Sequence, residues 1–193
     1  MESSVASQII PKIGSEPRIS KFKIALCQLM VTNDKATNLV HARTMLEEAA
    51  NVGAKLVVLP EMWVCPYSNE YLIKCGEELD MDKSSPAYQM MFEVASSREI
   101  TIVGGSIPEK RNGQMYNTCC VFGPDGQLKA KYSKLHLFDY YESGGASFME
   151  SNSFNAGDTP VVVDTGQLIT SCLLLFVRHA EILLDLTPYG VIL

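Results

Sequence analysis

The chain has 193 residues, of which 47% are hydrophobic and 20% charged, and 16 Lys+Arg against 22 Asp+Glu give a net charge of −6. At about 150 residues per domain this length suits one domain, and the balance excludes a disordered chain, a coiled coil and a collagen-like repeat. The acidic charge speaks against nucleic acid, which needs a positive footprint, and the longest apolar run, Leu168 to Val177, falls short of the about 20 residues that span a membrane.

Residues 1–20 read as a disordered leader: five are serine, and Pro11, Gly14 and Pro17 interrupt any helix. A transit peptide would be rich in arginine and poor in acids, so the composition favours a cytoplasmic protein, with an organelle as the alternative. Phe22 to Leu29 reads as a strand buried on both faces. Residues 34–52 read as a helix, with Leu39, Ala42, Leu46, Ala49 and Ala50 on one stripe and Gly53 at its end. Lys55 to Leu59 is a second buried strand, closed by Pro60 and followed at once by Glu61. Ser85-Pro86 opens a second helix, whose apolar face is Tyr88, Met91, Phe92 and Ala95. Ile100 to Gly104 is a third strand. Tyr116–Phe122, the turn at 123–126 and Gln127–Tyr132 read as a hairpin, and Val161–Val163 starts another strand. This alternation predicts an α/β layer fold with a mixed sheet.

The six cysteines include no Cys-x-x-Cys pair, so a zinc or thioredoxin-type site has no support. Cys119 and Cys120 are adjacent and point to opposite faces of a strand. A reducing compartment with free thiols is expected.

Ligands of open α/β sheets sit beyond the carboxyl ends of the strands. Glu61 stands at such an end. There it is either a partly desolvated general base or an ordinary loop glutamate. Lys134, flanked by Leu135 and Leu137, either offers a fixed positive charge to a developing oxyanion or solvates the surface. His136 reads as a structural, hydrogen-bonded histidine rather than a base. Gly104-Gly105-Ser106 is not a phosphate loop. Tyr67 and Asn69 either line a pocket beside Glu61 or pack the loop.

The order of motifs from residue 21 to 165 resembles the nitrilase superfamily of carbon–nitrogen hydrolases, and within it the omega-amidases. The resemblance rests on Lys21–Leu29, Gly53–Glu61, Cys65-Pro66-Tyr67-Ser68, Gly104–Glu109, Tyr116–Cys119, Phe122–Gly126, Lys134–Asp139 and Phe148–Ser151. It implies a four-layer αββα sandwich, of which residues 21–165 supply the N-terminal part as an incomplete domain. It also implies a Glu–Lys–Cys triad that needs no metal or organic cofactor. Glu61 matches the general base, Lys134 the oxyanion-stabilising lysine and Glu150 a second, supporting glutamate. In such a site the base takes the thiol proton, the thiolate attacks the amide carbon, ammonia leaves and water hydrolyses the thioester. The implied substrates are small dicarboxylic monoamides such as 2-oxoglutaramate and 2-oxosuccinamate.

After Thr165 the pattern departs, and residues 166–193 read as a divergent tail. The family's nucleophile lies in Gly-x-Cys-Tyr-Asp-x-Arg-Phe. Counted forward from Lys134 without gaps its place falls on Leu175, and matching Arg178 and Glu181 to the family's Arg-x-x-Glu moves it to Leu174. Cys172 is the nearest thiol. It lies three residues early in the first register, an odd offset that turns it to the other face, and about 6–7 Å short in the second. It reads as an inert buried thiol. The expectation is therefore a chain inactive alone and marginally stable. The alternative is a non-catalytic fragment that pairs with full-length paralogue subunits.

Overall fold

The computed structural model describes residues 22–80, 85–145, 147–161, 163–165, 169–173 and 183–185. The leader at 1–20, and Leu174 and Leu175, lie outside them.

The first elements are β1 (Lys23–Leu26), α1 (Lys35–Asn51), β2 (Ala54–Val58), α2 (Asn69–Lys74), α3 (Pro86–Arg98) and β3 (Thr101–Val103). They are followed by β4 (Ile107–Arg111), β5 (Gln114–Phe122), β6 (Leu128–Ser133), β7 (Asp139–Tyr140), β8 (Phe148–Met149), β9 (Val163–Asp164), β10 (Ile169–Leu173) and β11 (Leu183–Asp185). The main sheet runs β1-β2-β3-β5-β4, and β6 also pairs with β5. Strands β1, β2 and β3 are parallel, whereas β5 runs antiparallel to β3, β4 and β6. The α/β class with a mixed sheet is therefore as the alternation predicts. Strands β9, β10 and β11 form a separate antiparallel sheet.

The Asp34 carboxylate caps α1 by accepting from the backbone of Ala36 and Thr37, satisfying N–H groups that have no partner inside the helix. In α3, Pro86 takes the first helical position, where a missing N–H costs nothing. The buried carboxylate of Glu77 closes that end, accepting from Ala87 N at 3.1 Å and Ser85 Oγ at 2.5 Å.

Side chains alternate across the sheet, so two clusters form. Val57, Ile102, Cys120 and Phe122 pack with Leu46 of α1 and Met91 and Val94 of α3. Leu56, Val103, Cys119, Val121, Tyr132 and Val163 pack on the other side. Cys119 and Cys120 thus point to opposite faces, as expected.

Three expectations change. Strand β1 is shorter than Phe22–Leu29 and is not buried on both faces: Ile24 is 40% and Leu26 64% exposed. Alternation turns Ala25 to the helix-covered side and Ile24 and Leu26 to the other, and β1 lies at the end of the sheet order. Strand β4 and the short helix α2 were not anticipated. The β4–β5 connection carries a legible signal, Asn112-Gly113, with both residues at positive φ (53° and 76°), the backbone a two-residue hairpin needs. His136 is exposed rather than packed as a structural histidine, because the loop after β6 buries its neighbour Lys134 and turns His136 outward. Among the described residues, no helix is long and apolar enough to cross a membrane, and no group of three or more His, Cys, Asp or Glu is placed to hold a metal ion.

Candidate active site

Glu61 sits on the turn that leaves β2. That turn is tied to the end of β3: Leu59 N donates to Val103 O at 2.9 Å, and Ser106 N donates to Pro60 O at 3.2 Å. The side chain of Trp63, fully buried, donates from Nε1 to Gly104 O at 2.9 Å. The close approach requires glycine at 105. Its φ is +57°, and a Cβ there would stand 1.9 Å from the Pro60 carbonyl oxygen.

Lys134 follows β6 directly. Its backbone N donates to Asn117 O at 2.8 Å, and its O accepts from Gly157 N at 2.8 Å. Glu150 follows β8, which pairs with β7 in the register Asp139↔Met149 and Tyr140↔Phe148. This hairpin brings Glu150 N to Phe138 O at 3.1 Å. Asp139 then locks the next turn by accepting from Ser151 N at 3.0 Å, which holds its carboxyl below the usual range.

These three segments converge. Lys134 Nζ lies 3.1 Å from Glu61 Oε1 and 2.8 Å from Glu150 Oε2. The lysine and Glu150 side chains are 4% and 0% exposed, and that of Glu61 is 21% exposed. A lysine and carboxylates this deep persist because they compensate one another. Asn117, from the middle of β5, completes the cluster: Nδ2 donates to Glu61 Oε1 at 2.8 Å and to Glu150 Oε1 at 2.9 Å.

The two carboxylates are not equivalent. Both oxygens of Glu150 are engaged, Oε1 by Asn117 and Oε2 by Lys134 and by Phe138 N at 2.6 Å. The bonds to Glu61 from Asn117 and Lys134 both fall on Oε1. Tyr67 is a further hydrogen-bond partner of both carboxylates, and Glu61, the more exposed of the two, is the one suited to take a proton.

Tyr67 borders the cluster. Burial, then the negative charge of Glu61 and of Glu150, raise its phenol well above the ordinary tyrosine range. Its ring lies 5.1 Å from that of Phe148. Asn69 accepts from Ser153 Oγ at 2.7 Å, a loop-packing contact. Cys172 is placed by its backbone in β10, opposite Leu184 of β11.

Sequence reasoning brought Glu61, Lys134 and Glu150 forward and gave Asn117 and Trp63 no role. A signal for Asn117 is present: it is an amide just ahead of Cys119-Cys120-Val121-Phe122, in a strand otherwise turning apolar.

The family model described as carbon-nitrogen hydrolase matches residues 23–175. The chain is 53% identical over 174 residues to the chloroplastic omega-amidase of Arabidopsis thaliana, covering 86% of this chain and 47% of that protein. It is 42% identical over 147 residues to omega-amidase NIT2 of Homo sapiens, covering 76% and 52% respectively. The crystal structure of Nit3 from Saccharomyces cerevisiae, a member of branch 10 of the nitrilase superfamily, superposes with a TM-score of 0.60 at 33% identity, over 70% of this chain and 48% of that one. The chain thus spans about half the length of the curated relatives it matches. By its motifs, its mixed sheet and these matches, the chain belongs to the carbon–nitrogen hydrolase family of the nitrilase superfamily.

Proposed function

We propose that this chain carries the acid–base machinery of an omega-amidase-type hydrolase acting on small dicarboxylic monoamides, 2-oxoglutaramate and 2-oxosuccinamate, and that it does not turn them over alone. The observation that carries the reading is Lys134, which bridges Glu61 and Glu150 with one ammonium. In this reading Glu61 is the base. Lys134 supplies positive charge to the oxygen of the tetrahedral intermediate. Glu150, with every acceptor atom occupied, fixes the lysine. The names of the Arabidopsis and human relatives support the substrate class.

The inactivity follows from the sequence, which has leucine at both candidate positions for the nucleophile, 174 and 175. A leucine side chain has no lone pair with which to attack a carbonyl. The test is ammonia release from 2-oxoglutaramate by the purified chain, beside Glu61→Gln and Cys172→Ala. No release above background is expected. Turnover lost in Cys172→Ala would overturn the inactive reading and make Cys172 the nucleophile.

A second reading, pairing with full-length paralogue subunits, is favoured by the exposure of Ile24 and Leu26 on the side of the sheet away from the helices. Covering two such side chains yields about 1.5–3 kcal/mol each. Co-purification with a full-length relative at micromolar concentration supports it, and failure to co-purify ends it. The organelle alternative for its location is supported by the chloroplastic name of the Arabidopsis relative.

A further inference from the structure

We infer that Asn117 is a positioning residue whose single carboxamide nitrogen ties the base Glu61 to the supporting Glu150 and fixes the orientation of the base. The inference deepens the reading above and rests on it for the word "base". The tie itself rests on geometry alone.

Asn117 is 2% exposed. Its Nδ2 carries two protons, and each has a carboxylate acceptor, at 2.8 Å on Glu61 and 2.9 Å on Glu150. The two N–H bonds of a planar amide diverge at a fixed angle, so one nitrogen sets the separation of the two acceptors. Its backbone does the rest, because the Asn117 carbonyl accepts from Lys134 N at 2.8 Å. One residue therefore places all three charged groups.

The strand that holds it has little slack. Residue 117 lies opposite Pro108 of β4, and its neighbour Thr118 is paired on both sides, with Ile107 of β4 and Ser133 of β6. The charge count explains why the residue is an amide. Two carboxylates share one ammonium, so the cluster needs further donors without further negative charge. Aspartate at 117 would add a third carboxylate, and leucine, of similar size, would take the amide donor from Glu150 Oε1 and leave Glu61 Oε1 with Lys134 alone. Because Asn117 and Lys134 both load Oε1 of Glu61, the carboxylate is held in one orientation.

The first measurement needs no variant and no turnover. In the full chain, labelled with ¹⁵N, exchange of the Asn117 side-chain amide protons with water is compared with that of exposed Asn112. At least tenfold slower exchange at Asn117 is expected, and equal rates would overturn the tie. The second uses conservative changes. Glu61→Gln should shift one Asn117 amide proton and Glu150→Gln the other. A response of neither, or of the same proton to both, would overturn it. The third is a rescue. Asn117→Asp should lower the urea midpoint, and combining it with Glu150→Gln, whose amide donates in the reverse direction, should restore the part of the loss that arises at residue 150. A loss unchanged in the double variant would reduce Asn117 to simple packing and overturn the inference. The ammonia assay is separate from all three, so failure of the amidase reading leaves the tie standing, and failure of the tie leaves the amidase reading intact.

Discussion

The Lys134 ammonium lies 2.8 Å from Oε2 of Glu150, and the glutamate side chain is fully buried. Neither charge is placed to recruit water in compensation, so removing one strands the other. Lys134→Ala should cost about 3–5 kcal/mol, the range for an orphaned buried charge. Unfolding in urea, followed by fluorescence of Trp63, measures it. The double variant Lys134→Met/Glu150→Gln should recover much of that loss, because the stranded charge is gone. A double variant as unstable as the single one would show that packing, not charge, holds this region.

Glu109 offers an independent test of the same physics away from the candidate site. Its carboxylate is 1% exposed and meets Lys131 at 2.5 Å, Arg111 at 3.4 Å and the Thr118 hydroxyl at 2.7 Å. The cations left behind are 28% and 39% exposed and can be solvated, so Glu109→Ala should destabilise by about 1–3 kcal/mol, and Glu109→Gln by less, since the amide oxygen still accepts. The same urea titration reads both. Equal effects would mean that the lost charge, which both variants share, rather than the lost volume and acceptor, sets the cost.

Gly105 and Gly113 form a matched pair for the turn that carries Glu61. Both have positive φ, +57° and +76°, but a Cβ at 105 would stand 1.9 Å from the Pro60 carbonyl, whereas nothing lies within 4 Å at 113. Gly113→Ala carries only the backbone strain, about 1–2 kcal/mol. Gly105→Ala adds a backbone clash and should lose clearly more. Because the clash falls on Pro60, it should also displace Glu61 and alter Trp63 emission in the folded state. Equal stability of the two variants would refute the close approach.

Much of this architecture is legible in the sequence because the buried elements follow simple periods. The helix Lys35–Asn51 and the strand Ala54–Val58 are read almost to the residue from apolar spacing and a proline or glycine at the end. Strand β1 was misjudged because an apolar run does not say which of its sides will be covered. Ile24 and Leu26 look like core residues in the sequence and are exposed in the fold. At the site, position in the chain leaves Glu61 and Lys134 open between a chemical and an ordinary role, and the motif order of the resembled family is what brings them and Glu150 together. Asn117 escapes because its importance is a matter of distance: the acceptors it serves are 56 and 33 residues away in sequence. Glu77 and Glu109 are missed for the same reason, since a glutamate's burial depends on cations supplied by other elements.

Alkaline pH provides the last test. Burial pushes the Cys120 thiol up to about 12, partly opposed by Lys131. Cys65 is likewise pushed up to about 12, first by burial and then by the neighbouring Cys75. An exposed thiol in the unfolded chain ionises near about 8.5. Above that pH the unfolded chain holds fewer protons than the folded one, so stability falls as pH rises. The contribution of each thiol is complete below about pH 8.5 and is lost progressively as pH approaches the folded value. Cys120→Ala removes one such proton. Its cavity cost is the same at every pH, so the comparison is one of slopes. Between about pH 9 and 12, the variant's urea stability should fall less steeply than that of the parent chain, by up to about 1.4 kcal/mol per pH unit. Identical slopes would show that Cys120 ionises in the fold as it does in water, which its burial in the central strand β5 against the α3 side chains argues against.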